Sequence, residues 1–271
     1  MATLAKAKAA VEKQQPILLR ADRDGIATLT LNRPAARNAL SVGLMGELQN
    51  ALDAIATDRK IKVVVIGAEG PAFCAGHDLK EIRANPGRAA YETLFAQCSR
   101  LMQSIVTLPQ PVIAKVQGFA YAAGCQLVAT CDLAVAADTA TFCTPGINIG
   151  LFCSTPMVAA SRNLPRKKMM EMLLLGDAIP AADARDLGLV NRVVAPAKLE
   201  AETRALAETI AKKSPLVVKI GKEAFYRQLE MPLADAYAYT SRVMTENMLA
   251  RDAEEGIDAF LEKRPPKWEG R

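Results

Sequence analysis

Apolar and polar residues in the first part of the chain follow two alternating patterns. Short, nearly continuous apolar runs are typical of strands buried on both faces of a parallel sheet. Between them lie longer segments with apolar residues three or four positions apart, as in an amphipathic helix. We predict strands at residues 17–20, 26–31, 63–66, 112–116 and 133–136, and helices at 42–56, 91–106 and 122–130. Asp24 and Gly25 predict a hairpin turn between the first two strands.

This alternation predicts an α/β fold built from stacked βαβ units with right-handed crossovers. After residue 156 the pattern becomes helical, with helices predicted at 166–175, 181–187, 199–212, 216–229, 233–249 and 251–263. We therefore divide the chain into an N-terminal tail (1–15), a core (16–200) and a C-terminal helical region (201–271). The helical region is either a lid over the core or an oligomerisation module.

Composition narrows the class of protein. The chain has 271 residues, of which 51% are hydrophobic and 23% charged, enough for an ordinary globular core. No apolar run reaches the roughly 18 residues of a membrane-spanning helix, so we expect no membrane partner. The net charge of +5 suits anionic small molecules, but it is spread too evenly to predict nucleic-acid binding.

The first fifteen residues lack the features of a secretory signal. A mitochondrial presequence is the alternative, but arginine is absent there and Glu12 is present. We therefore expect a frayed tail and a cytoplasmic location.

Six cysteines are scattered without the CxxC spacing of a zinc site, and the chain has one histidine, so we expect no metal. In a cytosol-like compartment these cysteines are expected to be reduced thiols that pack as small buried hydrophobes. They are Cys74, Cys98, Cys125, Cys131, Cys143 and Cys153.

Two segments combine a buried strand, a turn of small residues and the start of a helix. They are PAFCAGHDLKE at residues 71–81 and VQGFAYAAGCQL at residues 116–127. Small residues let a ligand approach the backbone, and the first N–H groups of a helix lack intrahelical partners. Two such turns on adjacent strands would place two N–H donors on one carbonyl oxygen, a geometry that stabilises a thioester enolate. Each segment alone is equally typical of a tight strand-to-helix turn.

The two segments together resemble the crotonase, or enoyl-CoA hydratase/isomerase, superfamily. The resemblance rests on FCAGHDLKE followed by PVIAKVQGFAYAAGCQL, CDLAVAAD and NIGL, and it extends from about residue 17 to about residue 264. Residues 123–156 are similar in particular to the enoyl-CoA hydratase domain-containing protein 3 subgroup and its bacterial relatives. The resemblance implies a crotonase-type spiral of ββα turns, an acyl-CoA thioester as ligand, and C-terminal helices that mediate homotrimers or hexamers. It implies no cofactor beyond the coenzyme A of the substrate.

The same resemblance assigns residues to the site. The two backbone N–H groups of the family's oxyanion hole fall on His77 and Ala123. The turn that contacts CoA falls on Ala75 and its neighbours, with Lys80 as a candidate for phosphate contact.

The positions of the family's two catalytic glutamates hold Gln126 and Gly146 in this sequence. A glutamine amide can orient a water but cannot take its proton, and glycine has no side chain. Because general acid–base catalysis contributes about 10²–10⁴-fold, we expect thioester binding with poor hydration of 2-enoyl thioesters. The alternatives are another CoA-thioester reaction (isomerisation, decarboxylation or thioester hydrolysis) with a different base, or a catalytically silent acyl-CoA binder.

Other side chains near the turns have two interpretations each. His77 is either a replacement base, with a pKa suited to the task, or a residue packed beside the cleft. Cys125 and Cys153 would need a depressed pKa to act as nucleophiles, and no basic partner is evident. Asp78 fits best as a residue that stabilises a helix N-terminus.

Charged residues elsewhere are expected to face solvent. Asp132 borders a predicted strand and is interpreted as a solvent-facing or capping residue. A basic cluster in the helical region is interpreted as a solvated helix face, with contact to CoA phosphates as the alternative. Its members are Lys212, Lys213, Lys219 and Lys222.

Overall fold

The structure, a computed structural model, describes residues 15–271, so the predicted tail lies almost wholly outside the described residues. The described chain begins with a hairpin in which β1 (Leu18–Arg23) pairs antiparallel with β2 (Ile26–Leu31). Asp24 and Gly25 have φ angles of 55° and 77°, the left-handed values that a two-residue type I′ turn requires. The predicted hairpin is confirmed.

The larger sheet carries most of the fold. Within residues 15–271 it has six strands in the order β1-β2-β3-β5-β7-β10, and every pair after the hairpin is parallel. The four added strands are β3 (Val63–Ala68), β5 (Val112–Val116), β7 (Leu133–Ala137) and β10 (Arg192–Val194). The run VVVI of β3 is buried on both faces, as its continuous apolar sequence predicts.

A second, smaller sheet was not predicted. Its order is β4-β6-β8-β9, and its strands have only two or three residues, too few to show a periodic pattern. They are β4 (Ala72–Cys74), β6 (Phe119–Tyr121), β8 (Thr141–Cys143) and β9 (Ile179–Pro180). The pairs β3–β4, β5–β6 and β7–β8 each contribute one strand to each sheet, so the chain advances as a spiral.

Helices fill the connections and the C-terminal third. Those predicted with bounds from the sequence are confirmed with ends shifted by at most three residues, the helix start expected at Asp78 is confirmed as α2, and the short α5 was not predicted. The helices are α1 (Val42–Thr57), α2 (Leu79–Ala84), α3 (Arg88–Thr107), α4 (Ala123–Thr130), α5 (Pro156–Ala160), α6 (Arg166–Leu175), α7 (Ala181–Asp186), α8 (Leu199–Ala211), α9 (Pro215–Gln228), α10 (Leu233–Met248) and α11 (Arg251–Leu261). Among the described residues, no helix is both long enough and apolar enough to cross a membrane.

The core has two parts, one on each side of the larger sheet. The main cluster joins both sheets to the apolar faces of α1 and α3, through residues such as Leu48 and Leu101. On the opposite face, Leu199 and Ala207 of α8 pack against Val63 and the neighbouring strands. The boundary expected at residue 201 thus falls inside a helix that packs on the sheet, and the proposed oligomerisation region remains a prediction.

The α9 helix is fixed to this core by a buried ion pair. Lys222 Nζ lies 2.7 Å from Asp132 Oδ2, and the Tyr226 hydroxyl donates to Asp132 Oδ1 at 2.9 Å. The prediction that Lys222 faces solvent is therefore wrong, because its long side chain reaches a carboxylate and two carbonyls beside β7. Of the two interpretations of Asp132, the solvent-facing one is wrong, whereas its carboxylate accepts from the N–H of Val112 as a capping residue does.

Candidate functional site

The two small-residue turns meet where β4 and β6 lie side by side. At Gly76, whose φ is +100°, an added Cβ would lie 2.9 Å from the Cβ of Ala122 and 3.4 Å from the backbone nitrogen of Ala123. At Gly124 an added Cβ would lie 2.2 Å from the carbonyl oxygen of Cys74. Glycine at these two positions lets the backbones of the two turns approach each other to a distance that any side chain would prevent.

Each turn presents a backbone N–H that has no acceptor in the described part of the chain. Among the hydrogen bonds of residues 15–271, neither the N–H of His77 nor that of Ala123 has an acceptor. The flanking groups are fixed: Leu40 donates its N–H to Gly76 (2.8 Å) and accepts from Asp78 (3.2 Å). The structure thus brings the predicted pair of donors into neighbouring turns.

Ala122 stores strain beside one of these donors. Its φ of 49° and ψ of −118° are rare for a residue with a side chain, and its N–H donates to the carbonyl of Cys143 at 2.9 Å. A conformation of this kind costs about 1–3 kcal/mol and persists only where the surrounding structure enforces it. This conformation belongs to the residue just before α4, whose first backbone nitrogen lies next to Gly76.

Asp78 begins α2, as predicted. Its carboxylate accepts from the N–H groups of Lys80 (3.2 Å) and Glu81 (3.3 Å) and pairs with Arg33 at 3.0 Å. Burial opposes ionisation, but Arg33 and the two N–H groups outweigh it and lower the pKa of Asp78. The carboxylate is therefore committed to holding the turn and stays charged at neutral pH.

The two residues predicted to contact CoA lie on the same turn. Ala75 donates its N–H to the carbonyl of Arg37 at 3.0 Å, and Lys80 is exposed at the start of α2. Their roles as CoA ligands remain predictions.

The His77 side chain packs away from solvent. Its ring meets that of Phe95 on α3 edge to face, with centroids 5.6 Å apart, and neither ring nitrogen has a hydrogen-bond partner within residues 15–271. Burial lowers the pKa of His77, and the nearby backbone of Leu40 offsets only part of that shift. The imidazole is therefore neutral at pH 7.

Gln126 and Gly146 both lie beneath the turns. Gln126 is 4% exposed on α4, one turn after Ala123, and its amide oxygen has no partner within the described residues. Gly146 is buried, and its N–H donates to Cys153 Sγ at 3.3 Å. Neither position supplies a carboxylate: one offers an amide and the other only backbone.

Thr144 was missed by sequence reasoning. It is fully buried next to Gly146, and its hydroxyl oxygen has no partner within residues 15–271. Buried polar atoms without partners are rare in folded proteins, and those of Thr144 and Gln126 lie near the two turns and are open to a polar group there. Neither Thr144 nor Phe95, which packs against His77, lies in a sequence motif. Their positions near the turns depend on how the chain folds and could not be read from neighbouring residues.

The thiols near the site are not activated. Burial raises the pKa of Cys125 to about 12 and also raises the pKa of Cys153. All six cysteines are buried and none forms a disulfide. Thiolates are the reactive form of cysteine, so this environment opposes a nucleophilic role. Across residues 15–271, no three His, Cys, Asp or Glu side chains are grouped so that they would bind a metal ion.

Comparison with known proteins identifies the family. The sequence model of the family described as enoyl-CoA hydratase/isomerase matches residues 21–271, and the chain belongs to this family. A human relative, enoyl-CoA hydratase domain-containing protein 3, mitochondrial, is 49% identical over 245 residues, which are 90% of this chain and 81% of the relative. These findings confirm the family and the subgroup that the sequence motifs resemble.

Solved structures agree with the fold. A crystal structure of enoyl-CoA hydratase from Mycobacterium smegmatis has a TM-score of 0.92 at 53% identity and covers 94% of this chain and 99% of that one. A crystal structure of human enoyl Coenzyme A hydratase domain-containing protein 3 has a TM-score of 0.91 at 47% identity and covers 93% of this chain and 100% of that one. The predicted crotonase-type α/β fold is confirmed.

The expected cytoplasmic location is contradicted by the relatives' names. The human protein is named mitochondrial, and relatives from Xenopus laevis and Mus musculus carry the same name. These names point to a mitochondrial rather than a cytoplasmic location. The expectation rested on composition within the first fifteen residues, which is a weak discriminator of targeting segments.

Proposed function

We propose that this chain binds an acyl-CoA thioester, that the N–H groups of His77 and Ala123 hold the thioester oxygen, and that ordinary hydration of 2-enoyl thioesters at the site is slow. The observation that carries the proposal is the pair of unused N–H groups on two turns held together by Gly76 and Gly124. The family description and the names of the relatives support a CoA thioester as the ligand.

Two preorganised N–H donors stabilise negative charge as it develops on a thioester oxygen. One such donor is worth about 10²–10³-fold in kcat in enzymes of this type. The donors here belong to the backbone, so the replacement of the family's catalytic carboxylates leaves them unchanged.

No side chain at the site is an evident acid or base for hydration. Water must lose a proton as it adds to C3, and C2 must gain one. Gln126 orients a polar partner through its amide, and Gly146 contributes only backbone. His77 is neutral, but both ring nitrogens are buried, and the burial that lowers its pKa makes the imidazole a weaker base. We assign His77 a backbone role for this reason.

Binding and hydration are tested separately. Loss of the conjugated enoyl-thioester absorbance is followed after the protein is mixed with crotonyl-CoA, beside a family hydratase that carries both glutamates and a control without protein. We expect a rate at least about 10²-fold below that of the hydratase. A comparable rate would overturn the claim that Gln126 and Gly146 impair hydration.

The oxyanion contact is tested by calorimetric titration with butyryl-CoA and with its S-butyl thioether, which lacks the carbonyl oxygen. Two hydrogen bonds of about 0.5–1.5 kcal/mol each predict that the thioether binds about 5–150-fold more weakly. Equal affinities would show that the two N–H groups do not hold the thioester oxygen. Tight binding of butyryl-CoA without turnover of any acyl-CoA would establish the silent-binder alternative.

We also propose that the C-terminal helices form a homotrimer interface, as the family resemblance implies. Large apolar side chains on α10 and α11 are exposed, among them Leu233 (75%), Leu249 (77%) and Phe260 (82%). Phe260 also lines a groove of about 420 Å³ together with Val217 and Ile257. Exposed apolar surface of this kind is typical of protein interfaces. Light scattering coupled to gel filtration should report a trimer or a hexamer, and a monomer at micromolar concentration would refute the proposal.

A further inference from the structure

Gly146 lies in a loop that closes on itself. Leu151 donates its N–H to the carbonyl of Gly146 at 2.9 Å, and Gly146 donates its own N–H to Cys153 Sγ at 3.3 Å. Cys153 is 7% exposed, so its thiol is enclosed with the glycine. Both polar backbone groups of Gly146 are thus used to hold residues 151–153 against it.

The closed loop leaves no room for a side chain at position 146. An added Cβ would lie 2.9 Å from Cys153 Sγ, 3.0 Å from the carbonyl oxygen of Leu151 and 3.4 Å from the backbone nitrogen of Cys153. The φ of Gly146 lies outside the left-handed range, so the backbone conformation itself would accept any residue. Space, and mainly the sulfur atom, is what requires glycine here.

We infer that Cys153 is a specificity-determining residue, whose thiol fills the space that a side chain at position 146 would enter and so keeps a second acid–base group out of the site. This inference rests on the proposed acyl-CoA site but makes a separate claim about it. Glycine at position 146 and cysteine at position 153 form a unit, so restoring a carboxylate at 146 requires a change at 153 as well. Burial raises the pKa of the Cys153 thiol, so the sulfur remains neutral and does not replace the missing base.

The functional test compares three variants with crotonyl-CoA: Q126E, Q126E/G146E and Q126E/G146E/C153A. We expect the triple variant to hydrate crotonyl-CoA at least about 10²-fold faster, in kcat, than either of the other two. The remaining contact, with the Leu151 carbonyl at 3.0 Å, requires the loop backbone to shift by a few tenths of an ångström. A double variant as fast as the triple variant, or a triple variant no faster than Q126E, would overturn the inference.

Titration of the same variants with butyryl-CoA separates this claim from the proposed function. If the native protein binds butyryl-CoA and the triple variant gains no hydration, the inference about Cys153 fails while the proposed site stands. If the native protein does not bind butyryl-CoA, the proposed site fails, and the steric claim is then decided by stability alone.

The stability test is a double-mutant cycle between Gly146→Ala and Cys153→Ala, which needs no ligand. Overpacking predicts that G146A lowers the apparent Tm by roughly 5 °C in the native background. In the C153A background the loss should be less than half as large. C125A is the matched control, because Cys125 is also a buried cysteine near the site but is not among the nearest contacts of the added Cβ. An equal loss in the native and C153A backgrounds would refute the steric role of the thiol.

Discussion

Lys222 reaches from α9 into the core, and its replacement by methionine tests how far the C-terminal helices depend on that contact. Its ammonium group donates to the carbonyls of Ile105 (2.9 Å) and Gln110 (3.0 Å) and to Asp132 Oδ2 (2.7 Å). The side chains of Lys222 and Asp132 are 7% and 14% exposed. Burial lowers the pKa of Lys222, and the charge of Asp132 opposes that shift.

The expected loss in free energy of unfolding follows from the buried Asp132 carboxylate, which methionine leaves without its cationic partner. Removing one partner of a buried ion pair typically destabilises a protein by about 3–5 kcal/mol, because the remaining charge loses its compensation. Asp132 keeps the N–H of Val112 (2.7 Å) and the hydroxyl of Tyr226 (2.9 Å), which places K222M at the lower end, about 3 kcal/mol. For a chain of this size that corresponds to a loss of about 6–12 °C in Tm.

The measurement is denaturant unfolding of K222M at a fixed protein concentration, because any assembly makes stability concentration-dependent. K219M is the control, since Lys219 lies on the same helix with an exposed side chain. Its effect should stay within about 0.5 kcal/mol. A K222M cost below about 1 kcal/mol, or one equal to that of K219M, would refute the view that this ion pair anchors α9.

Three further predictions concern two glycines, the histidine and the cysteines. G124A should weaken butyryl-CoA binding at least tenfold and lower the Tm, because the added methyl would lie 2.2 Å from the Cys74 carbonyl. G221A, where an added Cβ meets nothing within 4 Å, should raise stability by about 0.5–1 kcal/mol; equal effects of the two variants would contradict the reasoning. Because burial lowers the folded-state pKa of His77, the unfolded chain binds more protons below pH 6.5, so native stability should fall as pH falls from 6.5. In H77Q this part of the slope should vanish in paired thermal melts, and an unchanged slope would count against a buried neutral imidazole. Iodoacetamide at pH 7.5 should label none of the six buried cysteines in the native protein and all of them in guanidinium, as read by mass spectrometry; rapid native labelling would contradict the burial and the raised pKa values.

The sequence predicts the elements that are long enough to show a period. The strand Val112–Val116 and the helix Arg166–Leu175 were predicted with their observed ends, since a continuous apolar run or a helical repeat fixes each of them. The second sheet escaped because Ala72–Cys74 and its partners pair over only two or three residues. Such strands are defined by their neighbours rather than by their own composition.

The candidate site likewise has features with a local sequence pattern and features without one. The two turn segments were identified because small residues next to a buried strand have a local pattern, and the family resemblance then assigned His77 and Ala123 within them. The contact between Cys153 and Gly146 has none, since it depends on how a loop of eight residues folds back. Burial of Lys222 was equally hidden, because its partner Asp132 lies 90 positions earlier in the chain.

The two free N–H groups belong to the main chain, which every amino acid shares. A substitution at position 126 or 153 changes the chemistry offered to a ligand without removing the means of holding it. Substitutions that would disturb the two N–H groups are those at residues that shape the turns, above all Gly76 and Gly124. On the proposed function, such a site separates the binding of an acyl-CoA, which depends on the main chain, from its conversion, which depends on the side chains.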